Sequence, residues 1–220
     1  SWSSWSDAVA AVIGLLLPVR CLGCGAPDRA LCAACRADLT ARPRRVRLVA
    51  SARLDAAFEY EGLVRTLLLE LKLRGRVDVA TPLGRRTGDL VRQALAGAPP
   101  GTRVLRVPPS PRGRRRRGFD PVVLLLARGG VRGTGALRRV RRSDHGRAGP
   151  IAGGGQKERT ALERVDATIG TLRAVGVHGR DVVLVDDVVT TGVTMAEAVR
   201  AVRAGGGRVL RCVATASVDV

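Results

Sequence analysis

Residues 182–194 read VVLVDDVVTTGVT, and this stretch decides the fold class of the chain. The unbroken apolar run at residues 182–185 is typical of a strand that is buried on both faces of a parallel sheet. A helical pattern follows at about 195–204, and a second apolar run follows at 209–214. The order strand, loop, helix, strand predicts an α/β fold in which a mostly parallel sheet is flanked by helices.

Two acids and a hydroxyl-rich loop follow the first of these strands, at the end where open α/β sheets bind their ligands. Asp186 and Asp187 can accept hydrogen bonds from a sugar diol, or hold a metal ion that bridges to a pyrophosphate. The loop then enters a helix N-terminus, whose unpaired N–H groups favour a phosphate, and Gly192 keeps that approach open. Three threonines add hydroxyl donors: Thr190, Thr191 and Thr194. The alternative is a plain strand end followed by a capped helix.

This arrangement resembles the phosphoribosyl-pyrophosphate (PRPP) motif of type I phosphoribosyltransferases. In that motif, four apolar residues, two acids and a loop with threonine and glycine bind the ribose 5-phosphate of PRPP. By this resemblance Asp186 and Asp187 are the catalytic residues. The PRPP loop is then Val188, Val189, Thr190, Thr191, Gly192, Val193 and Thr194. Two competing phosphate motifs, GxxxxGK[ST] and GxGxxG, do not occur in the sequence.

The chain is strongly basic, with 38 Lys and Arg against 19 Asp and Glu and a formal net charge of +19. Much of the excess lies in residues 103–142, where 13 arginines accompany one acid, Asp120. Such a block indicates a polyanion nearby, either a pyrophosphate substrate or a nucleic acid. Phe119 is the one aromatic residue interleaved with these arginines, which argues against sequence-specific recognition of single strands. A GC-rich genome would explain Arg in place of Lys, but not the net charge.

The 220 residues have room for one sizeable core and a small appendage. The apolar stretch 8–19 is the candidate for a membrane span, and its 12 residues fall short of the roughly 20 that a span needs. It also lacks the basic start of a signal peptide. We therefore expect an N-terminal helix over residues 7–17, no membrane span and a cytoplasmic location.

Four cysteines form two C-x-x-C pairs separated by seven residues: Cys21, Cys24, Cys32 and Cys35. Four thiolates satisfy tetrahedral zinc, and the closed ligand set predicts a structural Zn²⁺ site. The alternatives are two disulfides, free thiols or a redox pair, and a cytosolic compartment argues against the disulfides. We expect an N-terminal helix with a small zinc-binding subdomain in residues 1–50, and the larger α/β domain in residues 51–220.

Two more segments can supply cations to a pyrophosphate. Helical spacing over 63–71 puts Lys72 at a helix end, where it either complements the helix dipole or reaches a phosphate. The basic loop 110–118, SPRGRRRRG, follows a predicted strand and either clamps pyrophosphate or stays a solvated charge run.

Other patterns predict helices over 81–96, 119–128 and 156–165, strands over 58–60, 103–107, 137–140 and 168–172, and a basic linker over 37–54.

Taken in order, these motifs resemble the ComF family, the competence-protein-F-type phosphoribosyltransferase-like proteins. Three segments before the PRPP loop carry the resemblance: Pro18, Cys21, Cys24 and Gly25; Tyr60, Gly62, Leu71, Lys72 and Gly75; and Val107, Pro108, residues 115–118 and Phe119. The resemblance implies that PRPP binds with Mg²⁺ and that ribose 5-phosphate passes to an unspecified acceptor. Contact with the pyrophosphate then falls to Lys72, Arg112, Arg114, Arg115, Arg116 and Arg117.

The central segment departs from the family pattern. Acids stand at Asp120 and Asp166, where the family usually has Asn. The family's association with competence also implies a non-catalytic alternative, in which the fold serves DNA uptake. Its partners would be single-stranded DNA or a DNA-translocating helicase, and a homo-oligomer is a further option.

Overall fold

A six-stranded sheet organises the protein, of which the computed structural model describes residues 19–27, 29–140 and 168–218. In sheet order the strands are Arg45–Val49 (β1), Ala52–Glu59 (β2), Arg208–Ser217 (β8), Asp181–Val189 (β7), Arg103–Arg106 (β3) and Gly135–Ala136 (β4). The pair β1–β2 is antiparallel, and the other neighbours are parallel. The prediction of a mostly parallel sheet is therefore confirmed. A separate antiparallel pair joins Arg138–Arg139 (β5) to Leu172–Arg173 (β6).

Helices flank both faces of the sheet. In the described part of the chain they are Ala33–Ala41 (α1), Gly62–Arg74 (α2), Ala80–Ala96 (α3), Pro111–Arg117 (α4), Pro121–Arg128 (α5) and Val193–Ala204 (α6), with a 3₁₀ turn at Val77–Val79. Buried residues of α1, α2, α3 and α5 share one hydrophobic core, and those of α6 belong to the core on the other face. None of the helices in these residues is long and apolar enough to span a bilayer.

Strand β7 is buried on both faces, as its unbroken apolar run predicts. Val183 and Val185 belong to one core, Val182 and Leu184 belong to the other, and none of the four is exposed. The strand is longer than the apolar run, because its pairing with β8 continues to Val189. The two acids that follow the run therefore lie within the last residues of the strand.

Helices α3 and α5 pack with their backbones almost in contact. Gly84 and Gly88 lie four residues apart and so face the same way from α3. A Cβ on Gly84 would lie 2.3 Å from the carbonyl oxygen of Leu125, and one on Gly88 would lie 2.3 Å from that of Gly129. The absence of side chains at these positions allows α5 to lie this close to α3, and this packing positions the residues that α5 presents at the carboxyl end of the sheet.

The basic linker predicted over 37–54 is wrong. This segment contains the end of α1, all of β1 and the start of β2. In β1, arginines alternate with valine and leucine, so the segment has the period of two typical of a strand as well as the basic charge of the predicted linker. β1 precedes the predicted boundary at residue 50 and pairs with β2 beyond it. The division into two domains at that residue stays a prediction.

Two other elements differ from expectation. The basic segment 110–118 is a short helix, α4, and the Ser110 hydroxyl caps it by accepting a hydrogen bond from the Gly113 N–H at 3.1 Å. Of the strand predicted at 168–172, only Leu172 lies in a strand. That strand is β6, which pairs with β5 and not with the main sheet. The helices predicted over 7–17 and 156–165 lie outside the described residues, as does Asp166.

Candidate active site and metal centre

A cavity of about 170 Å³ opens at the carboxyl ends of β7 and β3. Its charged lining combines three acids, Asp186 and Asp187 of β7 and Asp120 before α5, with cations from three other segments. These cations are Lys72, Arg117 and Arg139. The apolar wall consists of Val107, Pro108, Pro109, Pro121 and Val122. The cavity is thus a polar cleft in which cationic side chains lie beside a carboxylate pair.

Lys72 is paired with one of the two acids. Its Nζ lies 2.7 Å from Asp187 Oδ1, and both side chains are largely buried, with 20% and 15% of their surface exposed. The helix that carries Lys72 ends at Gly75, which adopts the left-handed conformation at φ 67°. This end of α2 therefore reaches the cavity, where the sequence pattern placed a cation.

Asp186 has a different environment from Asp187. Burial raises the pKa of Asp186 well above its usual range, and the neighbouring charge of Asp187 raises it further. The Asp187 backbone N–H donates to Asp186 Oδ1 at 2.8 Å, and this hydrogen bond lowers the pKa of Asp186 and so counteracts part of the rise. The pair as it stands resists a second negative charge, so a cation or a hydroxyl donor in the cavity would stabilise its ionised form.

A smaller pocket of about 30 Å³ adjoins the cavity at the N-terminus of α6. Gly192 is the N-cap of this helix. Its φ is 85°, a backbone conformation that residues other than glycine seldom adopt. The pocket is lined by Asp186 and by the whole predicted loop, Val188, Val189, Thr190, Thr191, Gly192, Val193 and Thr194, together with Met195. Asp186 and Thr194 line both spaces, so an anion held at the helix end would lie beside the acid pair.

The arginines of α4 divide into two groups. Arg117 lines the cavity. The other four predicted pyrophosphate ligands, Arg112, Arg114, Arg115 and Arg116, are exposed on the helix surface. The structure therefore brings one of the five to the acid pair and leaves four facing solvent.

Arg139 is a site residue that sequence reasoning missed. Its Nε donates to the Pro109 carbonyl at 3.1 Å, and its Nη2 donates to the Pro108 carbonyl at 2.9 Å. Burial lowers its pKa, and the nearby carboxylate of Asp186 counteracts that effect. In the sequence, Arg139 stands in a run with three other arginines, so no local signal distinguished it.

Asp120, one of the two departures from the family pattern, has a structural role. Its Oδ1 caps α5 by accepting from the Val122 N–H at 3.0 Å. Its Oδ2 lies 2.9 Å from Arg106 Nε on β3. Although Asp120 lines the cavity, its carboxylate is already bound to the helix end and to the sheet.

The four N-terminal cysteines converge on one point. The Sγ atoms of Cys21, Cys24, Cys32 and Cys35 all lie within 4.8 Å of one another. Tetrahedral zinc with Zn–S bonds of about 2.3 Å separates its sulfurs by about 3.8 Å, and Cys24 Sγ lies 3.6 Å from Cys32 Sγ. The Cys32 N–H donates to Cys21 Sγ, which together with other backbone donors lowers the pKa of the Cys21 thiol to about 6. All five cysteines of the chain lie in the described part and are free, so this cluster could hold a metal such as zinc.

The cysteine cluster is joined to the core. A Cβ on Gly23 would lie 2.6 Å from Cys35 Sγ and 3.4 Å from Leu63 on α2. Cys21 and Leu39 are buried in the core that also contains most of α2 and α3. The cluster therefore lies directly against the helix whose other end carries Lys72.

The geometry agrees with the comparison against protein families. Residues 150–219 match the model of the phosphoribosyl transferase domain. The matched segment contains β7, both acids, the loop, α6 and β8. A search of the curated proteins found no match. The mostly parallel sheet flanked by helices, with this match at its centre, identifies a phosphoribosyltransferase-like domain to which a four-cysteine cluster is attached.

Proposed function

We propose that the protein is a phosphoribosyltransferase of the ComF type, which binds PRPP with Mg²⁺ and transfers ribose 5-phosphate to an acceptor nitrogen. One observation carries the proposal. The pocket at the N-terminus of α6 shares Asp186 and Thr194 with the cation-lined cavity. We assign the pocket to the 5′-phosphate, the carboxylate pair to the ribose diol and the cations of the cavity to the pyrophosphate of PRPP.

Each part of the substrate has a chemically matched set of residues. Residues 188–194 would hold the 5′-phosphate through backbone N–H groups and threonine hydroxyls. Asp186 and Asp187 would accept hydrogen bonds from the ribose hydroxyls. Lys72, Arg117 and Arg139 would face the pyrophosphate, because guanidinium and ammonium groups bind phosphate oxygens well.

The carboxylate pair also fits a hydrated Mg²⁺ ion. Burial and mutual repulsion disfavour two charges on Asp186 and Asp187, and a divalent cation would reverse that balance. When bound, Mg²⁺ would neutralise part of the pyrophosphate charge. In the cysteine cluster we propose structural Zn²⁺, since the four thiolates form a closed set.

The reaction needs positioning and charge stabilisation rather than a covalent nucleophile. The bond between ribose C1 and the pyrophosphate oxygen breaks, and pyrophosphate leaves with the electron pair. The lone pair of the acceptor nitrogen forms the new bond to C1, and the acceptor releases a proton to solvent. Lys72, Arg117 and Arg139 would stabilise the charge that grows on the leaving group. The proline-rich wall would exclude water from C1.

Calorimetric titration of PRPP with Mg²⁺ tests the proposal. The wild-type protein should bind, and Asp187→Asn should weaken binding at least tenfold without unfolding the protein. Asp181→Asn is a matched control, because Asp181 begins the same strand and is paired with Arg208 at 2.6 Å, away from the cavity. Absence of heat and of thermal stabilisation with the wild-type protein would reject the proposal.

The exposed arginines favour a second candidate function, binding of single-stranded DNA for uptake or beside a helicase. Arg112, Arg114, Arg115 and Arg116 lie outside the cavity and are exposed. If they bind a phosphate backbone, changing these four to Gln should weaken binding of a fluorescent oligonucleotide, with a reduced dependence on salt. The same variant should keep its affinity for PRPP, whereas Arg117→Gln should lose PRPP affinity and keep that for DNA.

A further inference from the structure

The β1–β2 hairpin contacts the phosphate loop at two points. Arg47 Nη2 on β1 donates to the carbonyl oxygen of Thr190 at 2.7 Å, across 143 residues of sequence. The Val49 side chain lies 3.4–3.5 Å from the position that a Cβ on Gly192 would take. Arg47 and Val49 are two residues apart on a strand and therefore share a face. One face of the edge strand is thus directed at the loop.

The hairpin turn helps to hold this face in place. Ala50 and Ser51 both adopt left-handed conformations, with φ of 48° and 62°. Such a two-residue turn matches the twist of an antiparallel pair, although residues with side chains adopt it at a cost of about 1 kcal/mol or more each. The turn fixes the register in which Val49 opposes Ala52 and Arg47 opposes Leu54.

The Arg47 contact orients a peptide group of the loop. No peptide bond in the described residues is cis, so the Thr190 carbonyl and the Thr191 N–H point in opposite directions. Because Arg47 binds the carbonyl, the Thr191 N–H is directed away from the hairpin. Both threonines line the pocket at the N-terminus of α6. A hydrogen bond to the carbonyl also polarises the peptide and strengthens its N–H as a donor.

Arg47 also changes the electrostatics of the loop. Residues 188–194 contain no lysine or arginine. The Arg47 guanidinium lies 3.5 Å from the position that a Cβ on Gly192 would take, so it places a cationic donor beside a loop whose own donors are neutral.

We propose that Arg47 is a positioning residue for the 5′-phosphate of the substrate. It holds the Thr190–Thr191 peptide in the orientation that receives the phosphate, and its charge lowers the free energy of the bound dianion. This inference rests on the proposed function, because it assigns the loop to the 5′-phosphate of a phosphosugar.

The test compares three ligands that occupy different parts of the site: PRPP with Mg²⁺, ribose 5-phosphate and pyrophosphate with Mg²⁺. Calorimetry would be run on the full chain, on Arg47→Ala, on Arg47→Gln and on Arg53→Ala. Arg53 is the control, because it lies on the same hairpin and is paired with Asp55 at 3.0 Å. Circular dichroism would establish that each variant is folded.

Arg47→Ala should lower the affinity for PRPP and for ribose 5-phosphate about tenfold. This is the size expected for the loss of one hydrogen bond with a charged donor. Pyrophosphate affinity should not change. Arg47→Gln should lose less affinity for these two ligands than Arg47→Ala, since an amide can still donate to the Thr190 carbonyl. If the wild type turns over PRPP with an acceptor, Arg47→Ala should raise KM for PRPP and leave kcat within twofold.

Several outcomes would overturn the inference. Unchanged ribose 5-phosphate affinity in Arg47→Ala would do so while leaving the proposed function intact. An equal loss of pyrophosphate affinity would show general damage to the fold and count against a specific role. A wild-type protein that binds pyrophosphate but neither phosphosugar would overturn both the inference and the proposed function.

Discussion

Lys72 and Asp187, 115 residues apart in sequence, form an ion pair of 2.7 Å between the end of α2 and the end of β7. This pair neutralises one acid of the site and leaves Asp186 beside it without an ion-pair partner in the described residues. The Lys72 ammonium thus lies beside the carboxylates in the cavity that we assign to pyrophosphate. A ligand that recruits Lys72 would release Asp187 to bind the ribose hydroxyls or Mg²⁺.

The first prediction concerns this ion pair. Lys72→Met should lower the free energy of unfolding by about 2 kcal/mol, because Asp187 would stay largely buried without its charged donor. It should also weaken PRPP binding, which needs the cation. Chemical denaturation and calorimetry measure the two effects.

A double variant separates them. Adding Asp187→Asn to Lys72→Met removes the unpaired charge and should restore most of the lost stability, whereas binding stays weak. If the double variant is no more stable than Lys72→Met alone, the ion pair does not have the energetic role described here.

The second prediction concerns the pH dependence of stability. Because the pKa of Asp186 is raised in the folded protein, the folded state binds a proton more tightly than the unfolded state does. This contribution to stability is fully present below the ordinary Asp pKa of about 3.9 and is lost as pH rises through the raised pKa. Asp186→Asn should therefore raise Tm at pH 7, by about 2–4 °C for each kcal/mol gained, and abolish PRPP binding.

Asp181→Asn should behave in the opposite way. The Arg208 guanidinium holds the pKa of Asp181 below its usual range, so its contribution is present at neutral pH and is lost as pH falls through the lowered pKa. Thermal scans from about pH 2 to pH 8 compare the two variants, because the Asp181 contribution is lost only below the ordinary Asp pKa of about 3.9. A lower Tm for Asp186→Asn at pH 7 would contradict the account of the acid pair.

The third prediction concerns the cysteine cluster. Gly23→Ala places a Cβ 2.6 Å from Cys35 Sγ and should reduce the zinc content of the purified protein, with a fall in Tm. Chelation of the wild type should lower Tm in the same way. Gly97→Ala is the control, because nothing lies within 4 Å of its Cβ position. Full zinc occupancy in Gly23→Ala, measured by atomic absorption, would show that the cluster has a different geometry.

The fourth prediction concerns Arg86 on α3, which joins the cysteine-bearing segment to the sheet. Its Nη1 donates to the carbonyls of Leu39, Thr40 and Arg42 at the end of α1, at 3.2, 3.3 and 2.8 Å. Its guanidinium also lies 4.7 Å from the centre of the Phe58 ring.

Arg86→Met should cost about 2 kcal/mol of stability, because the hydrogen bonds to three carbonyls at a helix end and a cation–π contact are lost together. Arg85→Met, at the exposed neighbouring position, should change stability by less than about 0.5 kcal/mol. Urea denaturation measures both. Equal effects at the two positions would contradict the assigned role of Arg86.

The parts of the fold that depend on local pattern could be predicted from the sequence. The run at 182–185 required a strand buried on both faces, and the strand, loop and helix after it follow in the predicted order. The cysteine spacing likewise predicted the convergence of the four Sγ atoms. In each case the residues that define the feature are near one another in the chain, so their spacing is enough to predict how they are arranged in the fold.

Features that depend on distant contacts could not be predicted in this way. Arg47 and Arg139 each stand among several arginines, and only the tertiary fold selects the one that meets the loop or the cavity. β1 was mistaken for a linker because arginines occupy alternate positions along it. In a chain with 38 basic residues, charge alone carries little information about which side chain reaches a site.

The near-contact of α3 and α5 has a consequence for substrate choice. With no side-chain layer between Gly84, Gly88 and the facing carbonyls, α5 cannot slide or tilt without colliding with α3. Pro121 and Val122 therefore form a wall of the cleft that α3 supports closely. If the cleft binds an acceptor, we expect adaptation to acceptors of different size to come from substitutions among residues 107–110, which also line it, rather than from repositioning α5 toward α3.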